Sequence, residues 1–152
     1  MRPHLEFAQC VWSPNLKRHQ DNLERVQERA TKLVDHMNGI EYKERLKALN
    51  LSTLSFRRFR GDMIEMYKHF NKYDICESFQ PKHRSSRQHD FHVHERIAND
   101  GERGVLNNSF YHRVVRDWNN LPSHVVIAPS INSFKSRFDK TFKEDISKIG
   151  EL

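Results

Sequence analysis

Apolar positions recur at steps of three and four residues along most of the chain, which is the spacing of one face of an α-helix. The first such run is short and stops before Ser13 and Pro14, which supply an N-cap and a first helical position for a second helix. The first helix is predicted to use Leu5, Ala8, Val11 and Trp12 as its apolar face.

The predicted second helix has three distinct faces. Its apolar stripe consists of Leu23, Val26, Ala30, Leu33, Val34 and Met37. A basic stripe lies roughly 120° around the axis, and it consists of Arg18, Arg25, Arg29 and Lys32. Gly39 is a suitable left-handed stop, and the apolar stripe is predicted to pack in the core.

Two further helices follow. A short one places Tyr42, Leu46 and Leu49 on one side, and Ser52 or Thr53 then begins a longer one. The longer helix has a core stripe of Phe56, Phe59, Met63, Met66, Tyr67 and Phe70, and its cationic residues Arg57, Arg58, Arg60 and Lys68 lie off that stripe.

The pattern is lost between residues 75 and 106, where prolines, glycines, serines and histidines dominate. This segment is predicted to be a long irregular connection or a short β-hairpin around Phe91 and Val93. It separates an N-terminal helical part, residues 1–74, from a C-terminal helical pair, residues 107–152.

The C-terminal pair begins with a helix at 107–121 whose apolar side ends at Pro122. Ser130 is the expected N-cap of the last helix. The two apolar faces consist of Phe110, Tyr111, Val114, Val115, Trp118 and Leu121, and of Ile131, Phe134, Phe138, Phe142, Ile146 and Ile149. The predicted fold class is therefore all-α, a bundle of about six helices. Trp12, Trp118, Tyr67 and the phenylalanine stripes are expected in its core.

Charge adds a prediction about partners. The formal net charge is +6, and the 26 Lys and Arg are spread along all 152 residues. This excess of positive charge favours an acidic partner, and nucleic acid is favoured over a membrane surface. The start of the chain lacks the apolar run of a signal peptide, and no stretch approaches the roughly 20 apolar residues that span a bilayer. We expect an intracellular protein of the nucleus or cytoplasm.

Metal chemistry has little support. Cys10 and Cys76 stand in no CxxC pair. His89, His92 and His94 have a ligand-like spacing, but no cysteine or placed carboxylate completes a site. We therefore expect solvated histidines, and we predict no metal ion and no cofactor.

Three long phrases resemble one family of proteins. They are "RPHLEFAQCVWSPNLKRHQDNLERVQERATKLV", "YKERLKALNLSTLSFRRFRGDMIEMYK" and "NSFYHRVVRDWNNLPSHVVIAPSINSFKSRFDK". Together they are similar to the C-terminal region of the reverse transcriptases of non-LTR (LINE-type, jockey-like) retrotransposons, which are RNA-directed DNA polymerases. The resemblance implies the thumb and the region beyond it, after the catalytic palm.

The resemblance also implies what this chain lacks. The family polymerises through an Asp-Asp turn in its palm, where carboxylates hold two metal ions. No Asp-Asp pair occurs in this sequence, so we predict no catalytic residues and no enzymatic activity for this chain alone. We expect a fragment, a truncated copy or a separate gene, with a palm domain as a partner in a longer parent protein. In the first turn of the fourth helix, Ser55 and Phe56 replace the family's usual acid, which weakens the favourable interaction with the helix dipole.

A thumb holds a nucleic-acid duplex chiefly through phosphate contacts from cations on rigid helices. The predicted partners are accordingly RNA, DNA or an RNA–DNA hybrid, bound without sequence preference. The candidate residues are Arg18, Arg25, Arg29, Lys32, Arg57, Arg58, Arg60, Arg113 and Arg116, with Arg113 and Arg116 expected at the rim of the core. Their alternative interpretation is as ordinary solvated charges. The alternative functions are a helical protein-interaction or structural module and a non-functional remnant of a retroelement.

Overall fold

The computed structural model describes residues 5–14, 16–72, 92–93 and 109–142. These residues confirm the all-α bundle, with helices α1 (Gln9–Trp12), α2 (Lys17–Lys32), α3 (Tyr42–Ala48), α4 (Leu54–Lys72), α5 (Phe110–Asn119), α6 (Ser123–Val126) and α7 (Ile131–Phe142). The short α6 was not predicted. Helix α5 ends at Asn119, two residues before the predicted end at 121, and Pro122 is the N-cap residue of α6.

Two helices, α4 and α7, begin at hydroxyl residues that the sequence indicated. The predicted start of α2 is wrong, because α2 begins at Lys17 after the N-cap residue Leu16 and not after Ser13. Thr53 Oγ1 accepts a hydrogen bond from Phe56 N at 3.1 Å at the start of α4. Ser109 caps α5 and Ser130 caps α7, where Ser130 Oγ accepts from Ser133 N at 3.2 Å. Each cap satisfies a backbone N–H that has no partner within its helix.

Helix α4 lies at the centre, in contact with α1, α2, α5 and α7. One hydrophobic core joins α4 to the C-terminal helices and so draws on both predicted helical parts. Tyr67 and Phe134 stack with their ring centroids 4.5 Å apart, and Phe70 stacks on Trp118 at 5.2 Å. The Tyr67 hydroxyl donates to the carbonyl of Ala128 at 2.6 Å. The prediction of a core for Tyr67, Trp118 and these phenylalanines is confirmed.

Helix α2 is turned about its axis relative to the prediction. It ends at Lys32, and Gly39, with φ 87°, lies several residues further on. Its buried residues are the polar Gln27 and Thr31. Much of its predicted core stripe is exposed, at 38% for Val26, 83% for Leu33 and 40% for Val34.

The physical reason is a polar interface between α2, α3 and the start of α4. Gln27 Nε2 donates to Tyr42 Oη and to the Ser52 carbonyl, both at 3.0 Å. Arg45 of α3 is only 2% exposed, and its Nε donates to Thr31 Oγ1 at 3.2 Å. An aliphatic face turned inward would leave the buried, charged Arg45 without its Thr31 partner, and an unpaired buried charge costs at least as much as exposing a valine or leucine.

The expectation of a core position for Trp12 is wrong. Helix α1 has no buried residue, and Trp12 is 40% exposed while Phe7 is 80% exposed. The segment is held by polar contacts: Gln9 Nε2 donates to the Arg58 carbonyl at 3.1 Å. Polar contacts of this kind, and not apolar burial, hold α1 in place. The side chains of Val11 and Trp12 face solvent.

The predicted connection 75–106 lies outside the described residues apart from His92 and Val93. Val93 is buried in the core, where its N–H donates to Asn119 Oδ1 at 2.9 Å and its carbonyl accepts from Asn119 Nδ2 at 3.0 Å. The side chain of Asn119 thus pairs with this backbone as a neighbouring strand would. The domain boundaries and the proposed hairpin stay predictions.

Candidate nucleic-acid interface

Four predicted cations form one exposed face, which we call the α2 basic face. Arg18, Arg25, Arg29 and Lys32 are all exposed, and at 100° per residue they fall within about 60° of one another around the helix axis. Their side-chain contacts are local, as in Arg25 Nη1 to Asn22 Oδ1 at 3.4 Å and Lys32 Nζ to Glu28 Oε1 at 3.2 Å. Such exposed contacts are weak, so these charges stay available to a phosphate.

The carboxylate of Glu24 points inward, away from this face, whereas the exposed Asp21 adjoins the face at about 40° from Arg25 around the axis. Glu24 Oε2 accepts hydrogen bonds from Leu54 N at 2.9 Å and Ser55 N at 3.3 Å, at the start of α4. Its Oε1 accepts from Tyr42 Oη at 2.5 Å. Burial, together with Glu24, raises the pKa of the Tyr42 phenol far above its ordinary value, so the phenol remains protonated as the donor.

The arginines of α4 serve the fold instead of forming a free cationic cluster. Arg57 Nε lies 2.6 Å from Glu6 Oε1, and its Nη2 donates to Gln27 Oε1 at 2.5 Å. Arg60 makes a two-pronged pair with Asp139 of α7, at 2.5 and 2.7 Å. The hydrogen bond to Asp139 raises the pKa of the Arg60 guanidinium. Paired in this way, neither side chain is a free phosphate ligand.

Arg58 corrects the prediction that this helix's cations lie away from the interior. It is 4% exposed, and burial lowers the pKa of its guanidinium, opposed by the nearby carboxylates of Glu24 and Asp62. Helix α4 has neighbours on several sides, so a position outside its main apolar stripe is still covered. A phosphate does not reach Arg58 in this conformation.

Arg113 is a second correction, because it joins three helices below the surface. Its Nε and Nη2 bind the Asp62 carboxylate at 2.9 and 3.2 Å. The same guanidinium donates to the carbonyls of Cys10 and Ser13, at 3.0 and 3.3 Å. Its side chain is 14% exposed. Burial raises the pKa of the Asp62 carboxyl, and Arg113 opposes that rise. Arg116, by contrast, is exposed as predicted.

A cleft of about 480 Å³ between α1 and α4 also contains cations, namely Arg57, Arg60 and Lys68. Each of them has a carboxylate partner, since Lys68 Nζ lies 2.8 Å from Glu65 Oε2 and the other two are paired as above. Glu6 and Glu65 line the same cleft. Its balanced charge makes it a poor anion site, so the α2 basic face remains the stronger candidate.

The positions of Arg113 and Arg116 around the axis of α5 already indicate that the two differ in exposure. In α5, Arg116 lies nearly opposite the apolar face, whereas Arg113 lies closer to its edge, about 60° from Phe110. Glu24 and Arg45 were missed altogether as structural residues. Their partners are distant in sequence, and each belongs to a helix with several other charges, so no local signal marked them.

Within the part of the chain that the structure describes, no three His, Cys, Asp or Glu side chains are placed to hold a metal ion. His92 is among those residues, whereas His89 and His94 lie outside them. No helix in the same residues is long and apolar enough to cross a membrane.

No family model matches this chain, and no curated protein or solved structure matches it either.

Proposed function

We propose that this chain is a non-catalytic helical module that contacts the backbone of RNA, DNA or an RNA–DNA hybrid through the α2 basic face. The proposal agrees with the resemblance to the C-terminal region of non-LTR retrotransposon reverse transcriptases, in which a palm domain would lie in the same parent protein. The observation that supports it most is the exposure of four cations on one rigid helix, while Glu24 of that helix is turned inward.

The proposed contact is electrostatic and independent of base sequence. Arg25, Arg29 and Lys32 follow one another at about 6 and about 4.5 Å along the axis of α2, which suits neighbouring phosphates of one strand. Arg18 lies about 10.5 Å before Arg25. Each neutralised phosphate releases counterions, so the affinity falls steeply with salt. Arg57, Arg58, Arg60 and Arg113 drop out of the proposed contact set because the fold already uses them.

The test is fluorescence anisotropy with a labelled RNA–DNA hybrid at about 50 and about 200 mM salt. The variant Arg18→Gln, Arg25→Gln, Arg29→Gln is compared with the matched variant Lys43→Gln, Lys47→Gln, Lys140→Gln, whose three residues are exposed cations elsewhere. We expect the α2 variant to lose at least tenfold in affinity and the logarithmic salt slope to fall by about 2 to 3. The control variant should change affinity by less than about threefold.

Equal losses in both variants would show that net charge alone attracts the hybrid, which contradicts a site on α2. Absence of binding by a helical wild-type chain would contradict the proposed function as a whole. Circular dichroism of each variant shows whether a loss of binding is a loss of folding.

A second candidate, a protein-interaction module, is favoured by one specific observation. The aliphatic flank of α2 is exposed beside its basic face, with Leu33 at 83%. Phosphate contacts do not use these aliphatic side chains, so the flank offers apolar surface to a protein partner.

A further inference from the structure

The N-terminal strap, residues 6–13, lies against the bundle with little apolar burial. No residue of α1 is buried, and Phe7, Val11 and Trp12 are 80%, 78% and 40% exposed. Ala8, at the start of α1, has φ 49° and ψ 32°, a left-handed conformation that is strained for a residue with a Cβ. A segment with few apolar contacts opens at a low free energy, so the strap can leave without uncovering the aromatic core.

Three oxygens of the strap occupy arginine donors of two other helices. Glu6 Oε1 lies 2.6 Å from Arg57 Nε of α4. Arg113 of α5 donates through Nη2 to the Cys10 carbonyl at 3.0 Å and through Nη1 to the Ser13 carbonyl at 3.3 Å. Guanidinium N–H groups are also the donors that bind phosphate oxygens. The strap thus covers potential phosphate ligands with oxygens of its own.

Arg58 is an independent indication of an anion site beside the strap. Its carbonyl accepts from Gln9 Nε2 at 3.1 Å, and its guanidinium interacts electrostatically with Asp62 and Arg113. The side chain is 4% exposed, and among the residues that the structure describes its Nη1 and Nη2 atoms have no hydrogen-bond partner. Buried donors without acceptors destabilise a fold. A phosphate oxygen would supply the missing acceptor.

We propose that the N-terminal strap masks a phosphate-binding site formed by Arg57, Arg58 and Arg113, and that the backbone of a nucleic acid displaces the strap. Release removes the Glu6 carboxylate from Arg57, so the site gains one positive charge. Release also removes two carbonyls from Arg113, whose guanidinium Asp62 keeps in place. The three arginines are unavailable in the closed conformation and become ligands only when the strap opens.

This site is distinct from the α2 basic face. Arg57 contacts Gln27, which lies roughly opposite the centre of that face around the axis of α2. The inference rests on the proposed function, because it assigns the same class of ligand. It adds a second contact with the nucleic acid, which the closed strap conceals.

The first experiment measures amide hydrogen exchange in the full chain with and without a saturating RNA–DNA hybrid. In the closed strap, Val11 N and Ser13 N donate to backbone carbonyls of the strap at 2.9 Å each, and a released four-residue helix does not keep such bonds. We expect the hybrid to accelerate exchange of these two amides at least about threefold. Unchanged or slower exchange would overturn the proposal. Equal acceleration by inorganic phosphate at the same ionic strength would overturn the assignment to nucleic acid.

The second experiment weakens the strap and measures hybrid affinity by fluorescence anisotropy. Glu6→Gln removes the carboxylate from Arg57. Glu44→Gln is the matched control, since it removes the same charge from an exposed site on α3. We expect the affinity to rise at least about fivefold for Glu6→Gln and less than about twofold for Glu44→Gln. Equal rises would show that net charge alone is responsible and would overturn the proposal.

Gln9→Ala weakens the strap without a change of charge, because it removes the bond to the Arg58 carbonyl. Its matched control is Asn132→Ala, which removes an exposed amide from α7. We expect about a threefold rise in hybrid affinity for Gln9→Ala and no change for the control. Adding Arg57→Gln to Gln9→Ala should cancel the rise, with circular dichroism as the check on folding. Unchanged affinity in both Gln9→Ala and Glu6→Gln would contradict a masked site.

Titrations of the variant Arg18→Gln, Arg25→Gln, Arg29→Gln separate the two sites. Adding Glu6→Gln to this variant is expected to raise its hybrid affinity by the same factor as in the wild type, because the masked site does not use the α2 basic face. A variant weakened by the α2 substitutions but unaffected by Glu6→Gln would leave the α2 basic face standing and overturn the masked site. Absence of hybrid binding by both the wild type and Glu6→Gln would contradict both proposals.

Discussion

At the scale of single residues, Glu24 of α2 supplies the negative charge that the first turn of α4 lacks. The first turn of α4 contains no acidic residue, so its unpaired N–H groups and positive dipole end lack a local counter-charge. Glu24 supplies one from another helix by accepting from Leu54 N and Ser55 N. The local sequence at the start of α4 lacks an acidic residue, as predicted. The contact with Glu24 of α2 compensates for that lack.

Replacing Glu24 by Gln is expected to destabilise the fold by about 1 to 2 kcal/mol, because a charged acceptor at a helix start becomes a neutral one and the bond to Tyr42 weakens. Urea denaturation followed by circular dichroism measures this change. Asp21→Asn is the matched control, since it removes the same charge from an exposed site on α2. An equal effect of both variants would show that general charge balance matters and the cap does not.

Arginine positions show how strongly context decides the role of one residue type. Arg25 and Arg113 are both helical arginines, yet Arg25 is exposed whereas Arg113 binds Asp62 and two carbonyls of the N-terminal segment. The partners of Arg113 are 51 to 103 residues away in sequence. Charge composition alone therefore overstated the number of cations available to a ligand.

At the scale of elements, Gly61 lets α1 approach α4. A Cβ at this position would lie 1.8 Å from Gln9 Nε2, which donates to the adjacent Arg58 carbonyl. Glycine is otherwise unfavourable inside a helix by about 1 kcal/mol relative to alanine. Its presence within α4 is explained by the contact with α1.

Gly61→Ala is expected to displace the flexible Gln9 side chain and to weaken the docking of α1 by about 1 kcal/mol, while α4 itself gains helix propensity. Amide hydrogen exchange should accelerate in residues 9–12 and stay unchanged or slow in α4. The comparison variant is Gln9→Ala, in which adding Gly61→Ala should have no further effect on α1. Unchanged exchange of α1 in Gly61→Ala would contradict this account of the glycine.

Helix α2 illustrates competition between two driving forces at the same scale. Its apolar periodicity predicted the buried face, but Gln27 and Thr31 occupy that position. Specific bonds with Tyr42, Ser52 and Arg45 determine the orientation. Periodicity identified the helix correctly and misplaced its face, because it records hydrophobicity and not the partners of polar groups.

At the scale of the whole molecule, the interior has two different chemistries. The core between α4, α5 and α7 is apolar and aromatic, whereas α2 contacts α3 and the start of α4 largely through hydrogen bonds. Apolar burial contributes most of the stabilisation of a fold, and polar contacts add modest net amounts. The two regions should therefore differ in stability.

Native-state hydrogen exchange is expected to show this difference. Amides of α2 and α3 should open at a free energy at least about 1 kcal/mol below those of α4, α5 and α7, because few apolar side chains hold them. The measurement is NMR-detected exchange at increasing denaturant below the unfolding transition. Equal opening energies for α2 and for the amides around Trp118 would contradict the prediction and indicate one cooperative unit.

The sequence by itself determined the longer helices, the starts of α4 and α7, and the aromatic core of α4, α5 and α7. Apolar periodicity and hydroxyl caps act over three or four residues, so they can be recognised from the sequence alone. Only the tertiary structure decided which face of α2 is buried, where Glu24 binds, and which cations remain in solvent. Those outcomes depend on partners 14 to 103 residues apart, and no local pattern specifies which distant partner a polar side chain meets.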